Sequence, residues 1–411
     1  MCGKLYDPAE VEYVCPKHGP VGTLDVAYDY ELIANRLTRD DLASAEPSMW
    51  RYGPLLPVDP DAEVPPLTVG WTPLYRADRL ADGLGIRELW VKDEGRQPTA
   101  SLKDRASAVA VVKAADRKAE VITTASTGNA AAALSGVAAS VDQRNVIFVP
   151  ESAPPAKITQ LLTYGSTVML VQGTYDQAFD LTMDASERFG WYNRNTGVNP
   201  YMSEGKKTVL FEIFEQLDGN LPDAILVGVG DGCIIGGLYK GLRDLGVLGW
   251  IRHMPRLIGV QAEGSSYFVQ AWEDGSDVLT KPPAPADTVA DSIAAGLPRD
   301  RLKGMRAVTE TGGEFLAVSD DEILAAIPIL ARGSGVFAEP AAAASYAGLV
   351  KAIGEGLVGA DERVVVLATG NGLKDVPAAM QAVDAAGTKV IPVAPTLAAV
   401  EEGLDANDGP G

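Results

Sequence analysis

One stretch of this chain, Pro98-Thr99-Ala100-Ser101-Leu102-Lys103-Asp104-Arg105, decides how the rest of the sequence is interpreted. Its proline and threonine end an extended segment, and an alanine-rich run typical of a helix follows Arg105. Lys103 is therefore predicted to lie where a loop turns into the first turn of a helix. An amine that forms a Schiff base must be accessible and partly neutral, which burial and nearby positive charge favour. The octapeptide alone is equally compatible with a solvated lysine at a helix start.

A second run, Thr123-Thr124-Ala125-Ser126-Thr127-Gly128-Asn129, stands between a short apolar segment and another alanine-rich stretch. Small hydroxyls and a glycine at a strand-to-helix turn, with exposed backbone N–H groups, form a natural seat for a carboxylate. Asn129 adds a side-chain amide able to bond a phenolic oxygen. The alternative is that Ser126 or Thr127 only caps the next helix.

A third run, Ala224-Ile225-Leu226-Val227-Gly228-Val229-Gly230-Asp231-Gly232-Cys233-Ile234-Ile235-Gly236-Gly237, predicts an apolar strand, a glycine-rich turn and a helix. Glycines let backbone amides fold around an anion, and the start of the helix adds a favourable dipole, so this run is typical of a phosphate cradle. A dinucleotide fingerprint that began at Gly228 would need glycine at the position of Cys233, which weakens the nucleotide interpretation.

A fourth run, Val364-Val365-Val366-Leu367-Ala368-Thr369-Gly370-Asn371-Gly372-Leu373-Lys374-Asp375, predicts a buried strand that ends in a polar, glycine-bearing turn. Thr369 would lie at the carboxyl end of that strand. Ligands of open α/β sheets bind at those ends, so its hydroxyl is expected to face the same ligand as the earlier turns. The alternative is an ordinary turn between strand and helix.

In this order, the four runs resemble the threonine synthase family of pyridoxal-phosphate enzymes, in the group that also contains threonine dehydratases and cysteine synthases. The resemblance extends over most of the chain, including Gly70-Trp71-Thr72-Pro73-Leu74, Asn199-Pro200-Tyr201-Met202-Ser203-Glu204-Gly205-Lys206-Lys207-Thr208 and Val336-Phe337-Ala338-Glu339-Pro340. It implies an α/β fold of the tryptophan synthase β-like type, with two domains built on open sheets.

The resemblance also implies roles for individual residues. Lys103 would hold pyridoxal 5'-phosphate as a Schiff base and Asn129 would bond the pyridine hydroxyl. Thr369 would meet the ring nitrogen. The cofactor phosphate would be bound by a loop of five residues, Gly230, Asp231, Gly232, Cys233 and Ile234.

The characteristic reaction of the family is loss of phosphate from O-phosphohomoserine and addition of water to give threonine. Lysines are the candidate partners of the substrate phosphate, and small hydroxyls are placed nearer its carboxylate. The lysines are Lys157, Lys206 and Lys207, and the hydroxyls are those of Ser101, Ser126 and Thr127. Each of them has an alternative interpretation as a surface charge or a helix cap.

Two departures from the family pattern keep other reactions open. The usual phosphate loop is Gly-Asn-x-Gly-Asn, whereas Asp231 here brings a carboxylate beside the expected phosphate. The run Asp287-Thr288-Val289-Ala290-Asp291-Ser292-Ile293 is closer to the dehydratases. The alternatives are a threonine or serine ammonia-lyase, and a β-replacement synthase acting on phosphoserine, similar to the cysteate synthases. A non-catalytic cofactor-binding homologue is a further class, but it would have no need of Lys103.

Near the N-terminus, Cys2, Cys15 and His18 resemble parts of a zinc ribbon. Structural zinc takes four ligands, usually a pair from each of two tight turns. Related family members carry a second cysteine in the first turn, where this chain supplies only Cys2. We therefore expect a remnant of the ribbon, with less than one zinc per chain.

Composition agrees with a soluble enzyme but does not by itself identify one. The 411 residues are 46% hydrophobic, with a net charge of −20, which argues against a nucleic-acid partner. No apolar run approaches the length of a membrane span, and the start of the chain lacks the apolar core of a signal peptide. Three cysteines do not form a disulfide framework. We expect a cytoplasmic homodimer with an amino-acid substrate.

Alternating apolar strands and alanine-rich helices predict α/β layers with largely parallel sheets. By resemblance, residues 106–196 would form a smaller mobile domain that closes over the cofactor. Residues 25–105 and 197–394 would form the larger, cofactor-binding domain. Residues 1–24 would be the ribbon remnant, and the tail of residues 395–411 is predicted to be poorly ordered.

Overall fold

The computed structural model describes residues 2–126, 128–151, 153 and 155–407. It contains two β-sheets surrounded by helices. The strands are β1 (Leu74–Arg76), β2 (Glu88–Asp93), β3 (Ile122–Ala125), β4 (Asn145–Pro150), β5 (Thr167–Val171), β6 (Tyr192–Asn193), β7 (Ala224–Gly228), β8 (Arg256–Ala262), β9 (Glu314–Val318) and β10 (Arg363–Ala368).

The helices carry the alanine-rich runs of the sequence. They are α1 (Tyr30–Ala34), α2 (Arg39–Ser44), α3 (Asp78–Leu84), α4 (Lys103–Asp116), α5 (Asn129–Ala139), α6 (Pro155–Thr163), α7 (Tyr175–Phe189), α8 (Tyr201–Gln216), α9 (Cys233–Val247), α10 (Tyr267–Asp274), α11 (Arg301–Thr311), α12 (Asp320–Ser334), α13 (Pro340–Gly354), α14 (Val376–Ala385) and α15 (Leu397–Asn407). Sequence signals set several of the ends. Capping boxes at Thr174 and Ser319 start α7 and α12, and glycines in the left-handed conformation end both helices.

The larger sheet has six strands in the order β1-β2-β10-β7-β8-β9, and only the edge strand β1 runs antiparallel to its neighbour. The sheet is buried on both faces. Along β10, Val364 and Val366 pack into one hydrophobic core, while Val365 and Leu367 pack into the core on the other face. Such continuous apolar strands are expected where helices cover both faces of a parallel sheet.

The smaller sheet has four parallel strands in the order β5-β4-β3-β6. All of them lie between residues 122 and 193, inside the segment 106–196 that the sequence assigns to a smaller domain. The predicted α/β architecture with largely parallel sheets is therefore confirmed. The domain boundaries and the closing motion remain predictions.

The two ends of the chain add little regular structure. Near the N-terminus, an isolated antiparallel bridge joins Val14 to Thr23. At the other end, the structure places α15 within residues 395–411, which the sequence predicts to be poorly ordered, and its side chains are mostly exposed. No helix among the described residues is both long and apolar enough to cross a lipid bilayer.

Candidate active site

The predicted cofactor residues line one cleft at the carboxyl ends of the central strands. Lys103, Asn129, Thr369 and the loop Gly230–Ile234 all contribute to its wall. In open α/β sheets, ligands bind at the carboxyl ends of the strands, where this cleft lies. The structure therefore brings together residues that are far apart in the sequence.

Lys103 is the first residue of α4, as the sequence predicts, and it is partly exposed to the cleft. The loop before it is fixed to the end of β10, because Leu102 donates its N–H to the carbonyl of Thr369 (2.9 Å). Ser101 forms an isolated bridge with Gly370. Ala100 adopts a φ of +66°, a conformation that is costly for a residue with a Cβ. The lysine is thus held by a constrained turn.

The phosphate-cradle run has the expected geometry. Gly232 has a φ of +88°, and α9 begins at the next residue with no side chain capping its first amides. A Cβ on Gly230 would lie 2.9 Å from the Cα of Ile293, so the approach of these two segments requires glycine. Uncapped amides at the start of a long helix form an anion site.

Asp231, the carboxylate that departs from the family pattern, is engaged outside the cradle. Its Oδ1 accepts a hydrogen bond from the backbone N–H of Arg299 (3.0 Å), and its carbonyl accepts one from the N–H of Asp300 (2.9 Å). The aspartate thereby ties the cradle to the chain before α11. This contact gives the carboxylate a structural role.

Asn129 begins α5 and is buried beside Glu339. Its Nδ2 donates to Oε1 of Glu339 (2.7 Å) and to Oγ of Ser292 (3.4 Å). Burial raises the pKa of Glu339 to about 7, although Lys374 and the hydrogen bond from Asn129 oppose the rise. The carboxyl group is therefore close to half protonated at neutral pH.

Glu339 belongs to the run Val336-Phe337-Ala338-Glu339-Pro340, which carries part of the family resemblance, but no role was predicted for it from the sequence. Its position immediately before Pro340, at the start of α13, was the available signal, because a helix start can present a side chain to a cleft. Its burial and its contact with Asn129 were not visible in the sequence.

The other predicted substrate-binding groups are distributed around the cleft. Ser101 is buried, and its Oγ has no hydrogen-bond partner among the described residues. Ser126 accepts a hydrogen bond from the N–H of Gly128 (3.2 Å). Lys157 bonds Asp291 at a neighbouring cavity, which shares Asn129 and Glu339 with the cleft. Thr127 lies outside the described residues.

Lys206 and Lys207 are adjacent on α8 but have different surroundings. Lys206 donates to Sγ of Cys233 in the phosphate cradle (2.9 Å), whereas Lys207 is buried against Glu204 and Asp244. Consecutive residues of a helix point about 100° apart, so only one of them can face the cradle. That both lysines bind substrate stays a prediction, and the pairing of Lys207 with two carboxylates favours Lys206 over Lys207 in this role.

The three predicted metal ligands are close together near the N-terminus. The ligand atoms of Cys2, Cys15 and His18 lie within 4.8 Å of one another. The Tyr6 hydroxyl lies 3.1 Å from Sγ of Cys15. This hydrogen bond, together with those from His18 and the backbone, lowers the pKa of that thiol to about 6. Among the described residues, the cluster offers three of the four ligands of a structural zinc site. The ribbon remnant therefore remains a prediction.

Pyridoxal phosphate fits the residues of the cleft. Uncapped helix amides would hold its phosphate, Lys103 would bind it covalently, and Asn129 and Thr369 would flank its ring. The glycines of the cradle leave the space that the phosphate needs.

Comparison with known proteins agrees with this geometry. Residues 66–370 match the family model described as "Pyridoxal-phosphate dependent enzyme". The chain is 41% identical to a threonine synthase of Methanosarcina acetivorans over 377 residues, covering 91% of each chain. It is 38% identical to a threonine synthase of Methanocaldococcus jannaschii over 383 residues, covering 93% of each.

Solved structures share the fold at lower identity. A fungal L-serine ammonia-lyase from Rhizomucor miehei superimposes with a TM-score of 0.66 at 22% identity, covering 76% of this chain and 97% of that one. Threonine deaminase isoform 2 from Solanum lycopersicum gives a TM-score of 0.64 at 23% identity, covering 77% and 88%. These likenesses confirm the tryptophan synthase β-like architecture. With the relatives above, they identify the chain as a member of the pyridoxal-phosphate-dependent enzymes, within the threonine synthase family.

Proposed function

We propose that this protein converts O-phosphohomoserine and water to threonine and phosphate. The observation that carries the proposal is the arrangement of the cleft, in which Lys103 faces an uncapped helix start suited to a cofactor phosphate. The threonine synthases from two archaea, similar over more than nine-tenths of the chain, support this substrate over others.

The residues of the cleft would divide the work. Pyridoxal phosphate, when bound, supplies an electron sink that stabilises negative charge on the substrate. The amine of Lys103 would remove the α proton and return protons to the carbon chain. Ser101, Ser126 and Thr127 would hold the substrate carboxylate by hydrogen bonds. Lys206 would neutralise a phosphate beside the cradle.

Asn129 and Glu339 would position the ring between them. Glu339 fixes the amide orientation of Asn129. The amide hydrogen that makes the longer contact with Ser292 (3.4 Å) would turn to the pyridine hydroxyl. Thr369 lines the cleft, where its hydroxyl would meet the ring nitrogen. A neutral donor there would leave that nitrogen unprotonated, which favours elimination.

An ammonia-lyase acting on threonine or serine is the second candidate. It is supported by the shared fold of a threonine deaminase and an L-serine ammonia-lyase, and by the Asp287–Ile293 run. A β-replacement synthase acting on phosphoserine is the third. It would use the same phosphate contacts on a shorter substrate.

Product identification separates these candidates. Purified protein loaded with cofactor is incubated with O-phosphohomoserine, O-phosphoserine, threonine and serine, and products are identified by mass spectrometry and phosphate assay. We expect threonine and phosphate from O-phosphohomoserine at the highest kcat/KM. A 2-oxo acid from threonine or serine at a higher kcat/KM would reassign the enzyme as an ammonia-lyase.

We also propose a cytoplasmic homodimer whose smaller domain closes over the substrate. The free state of Cys2, Cys15 and Cys233 is consistent with a reducing compartment. Exposed apolar side chains on and before α14, including Leu373 and Met380, are consistent with a contact between subunits. Light scattering on the eluting protein would measure the oligomeric state.

A further inference from the structure

Two buried cations near the cleft have no carboxylate partner. Arg194 and Lys206 are both fully buried, yet neither forms a salt bridge with any residue that the structure describes. Nη2 of Arg194 has no hydrogen-bond partner at all among those residues. Burying a charge without a partner is costly, so a protein retains such groups where a ligand supplies the missing charge.

Both cations lie on the cofactor side of the fold. Arg194 follows β6, at the carboxyl end of the smaller sheet, and its Nε donates to Oγ of Ser107 (3.3 Å). Ser107 lies one helical turn after Lys103 on α4, so the guanidinium is near the reactive lysine. Lys206 reaches Cys233 of the cradle (2.9 Å) and Thr196 (3.3 Å). The two side chains therefore converge between Lys103 and the start of α9.

Electrostatics at the two groups would favour a nearby anion. Burial, helped by the nearby charges of Lys103 and Arg194, lowers the pKa of Lys206 to about 8, although Cys233 opposes the shift. Burial lowers the pKa of Arg194 to about 10. An anion between the two would favour their charged forms.

The cradle can hold the cofactor phosphate with backbone amides alone, so the two cations exceed what the cofactor needs. A phosphorylated substrate brings a second dianion into the same cleft. Resting on the function proposed above, we propose that Arg194 and Lys206 form the subsite for the phosphate group of the substrate. Arg194 would supply the planar, two-pronged contact and Lys206 a point charge.

The test uses holoenzyme with Arg194→Met or Lys206→Met, and Arg188→Met as the control for loss of an exposed positive charge. Inorganic phosphate, the proposed product, is the probe, and its affinity is measured by titration calorimetry at constant ionic strength. We expect each subsite variant to bind phosphate at least tenfold more weakly and to raise KM for O-phosphohomoserine more than it lowers kcat. Arg188→Met should match the parent.

Cofactor occupancy provides the second readout. Absorbance of bound pyridoxal phosphate, followed during dialysis, should be the same in parent and variants. Loss of cofactor with phosphate affinity unchanged would assign the two cations to the cofactor and overturn the proposal. Parental affinity for phosphate in both variants would also overturn it.

Removing an unpartnered buried charge should leave the fold at least as stable, so unfolding of either methionine variant would itself contradict the argument.

The second variant is Arg194→Lys, which retains the positive charge. We expect it to lose an intermediate part of the affinity for phosphate, and no loss would overturn the proposal. Failure of the proposed function can be distinguished from failure of the proposed subsite. If the parent makes no threonine but binds phosphate through Arg194, the proposed reaction is refuted while the proposed anion subsite is supported.

Discussion

Two clusters of buried charge in this protein differ in one respect, which is whether the protein itself neutralises them. Arg105 contacts Glu94 and Glu212, and Lys92 contacts Glu212 (2.7 Å), with every one of these side chains fully buried. Arg194 and Lys206 are equally buried, but neither forms a salt bridge with a carboxylate among the described residues. We call Arg105, Lys92, Glu94 and Glu212 the compensated cluster, and its ion pairs stabilise the fold. We call Arg194 and Lys206 the uncompensated cluster, and its proposed role is to bind an anion.

The compensated cluster also shows what complete pairing does to a buried group. Burial alone would raise the pKa of Glu212, but the charges of Arg105 and Lys92 lower it to about 2. Glu212 additionally accepts the backbone N–H groups of Trp71 (2.7 Å) and Thr72 (3.1 Å). It therefore stays ionised at neutral pH.

The largest effect is expected from Lys103, whose charge acts on Lys206 of the uncompensated cluster. Lys103→Ala should lower turnover by about a thousandfold or more, because the amine is both the attachment point and the base. Its thermal unfolding should match the parent, since Lys103 is only partly buried. Borohydride reduction followed by peptide mapping should put the cofactor on Lys103 in the parent. Turnover within tenfold of the parent would mean that another group transfers the proton.

The next largest effect is expected on the free energy of unfolding, when the compensated cluster loses its shared carboxylate. Glu212→Gln should lower the free energy of unfolding by about 3–5 kcal/mol, because Arg105 and Lys92 lose their shared counter-charge. Urea unfolding measures the difference. Glu120→Gln breaks the exposed pair with Arg144 and should cost less than about 1 kcal/mol. Equal costs in the two variants would contradict the distinction between buried and exposed pairs.

Glu339 provides an intermediate case, because it is a buried carboxyl group that accepts a hydrogen bond from an amide and forms no salt bridge among the described residues. Its pKa rises from 4.5 to about 7 on folding, so it remains protonated in the folded protein while the unfolded chain ionises. Stability is therefore lost as the pH rises from about 4.5 to about 7, by at most about 3 kcal/mol.

Glu339→Gln should remove this loss. In urea unfolding of cofactor-free protein, the variant should gain about 1–3 kcal/mol over the parent between pH 5 and pH 8. The exposed Glu355→Gln serves as the control and should show no such trend. A difference between parent and variant that stays constant with pH would show that the carboxyl group is already ionised at pH 5.

The smallest effect concerns the three-ligand cluster at the N-terminus. Elemental analysis should find well below one zinc per chain after dialysis against a chelator, because Cys2, Cys15 and His18 supply one ligand too few. Cys15→Ser should leave that content and the catalytic activity unchanged. One zinc per chain that survives dialysis would show that a fourth ligand completes the site.

Much of the site was predictable because its parts are local. Lys103 at a helix start, the turn before Asn129 and the glycine cradle each depend on residues adjacent in sequence, and the structure places all of them in one cleft. The strands were predictable for the same reason. The sequence indicates a strand over 364–367, and β10 spans Arg363–Ala368.

What the sequence did not reveal depends on contacts across the fold. Lys206 and Lys207 look equivalent as neighbours, and only the packing of α8 against α9 directs one to Cys233 and the other to Asp244. Arg194 carried no motif. Its significance comes from the absence of a partner among the described residues, a property that no local pattern encodes.

The position of β10 in the larger sheet has a consequence for synthesis of the chain on the ribosome. This strand lies between β2 and β7, near the middle of the sheet, yet it comes from the last part of the chain to be made. The smaller sheet uses residues from one continuous stretch, so it can form while translation continues. The larger sheet cannot be completed until β10 has been synthesised, because β2 and β7 do not pair with each other. The hydrogen bond between Leu102 and Thr369, which holds the turn before Lys103, also forms only after β10 has been synthesised. A nascent chain therefore lacks the reactive site until translation is nearly complete.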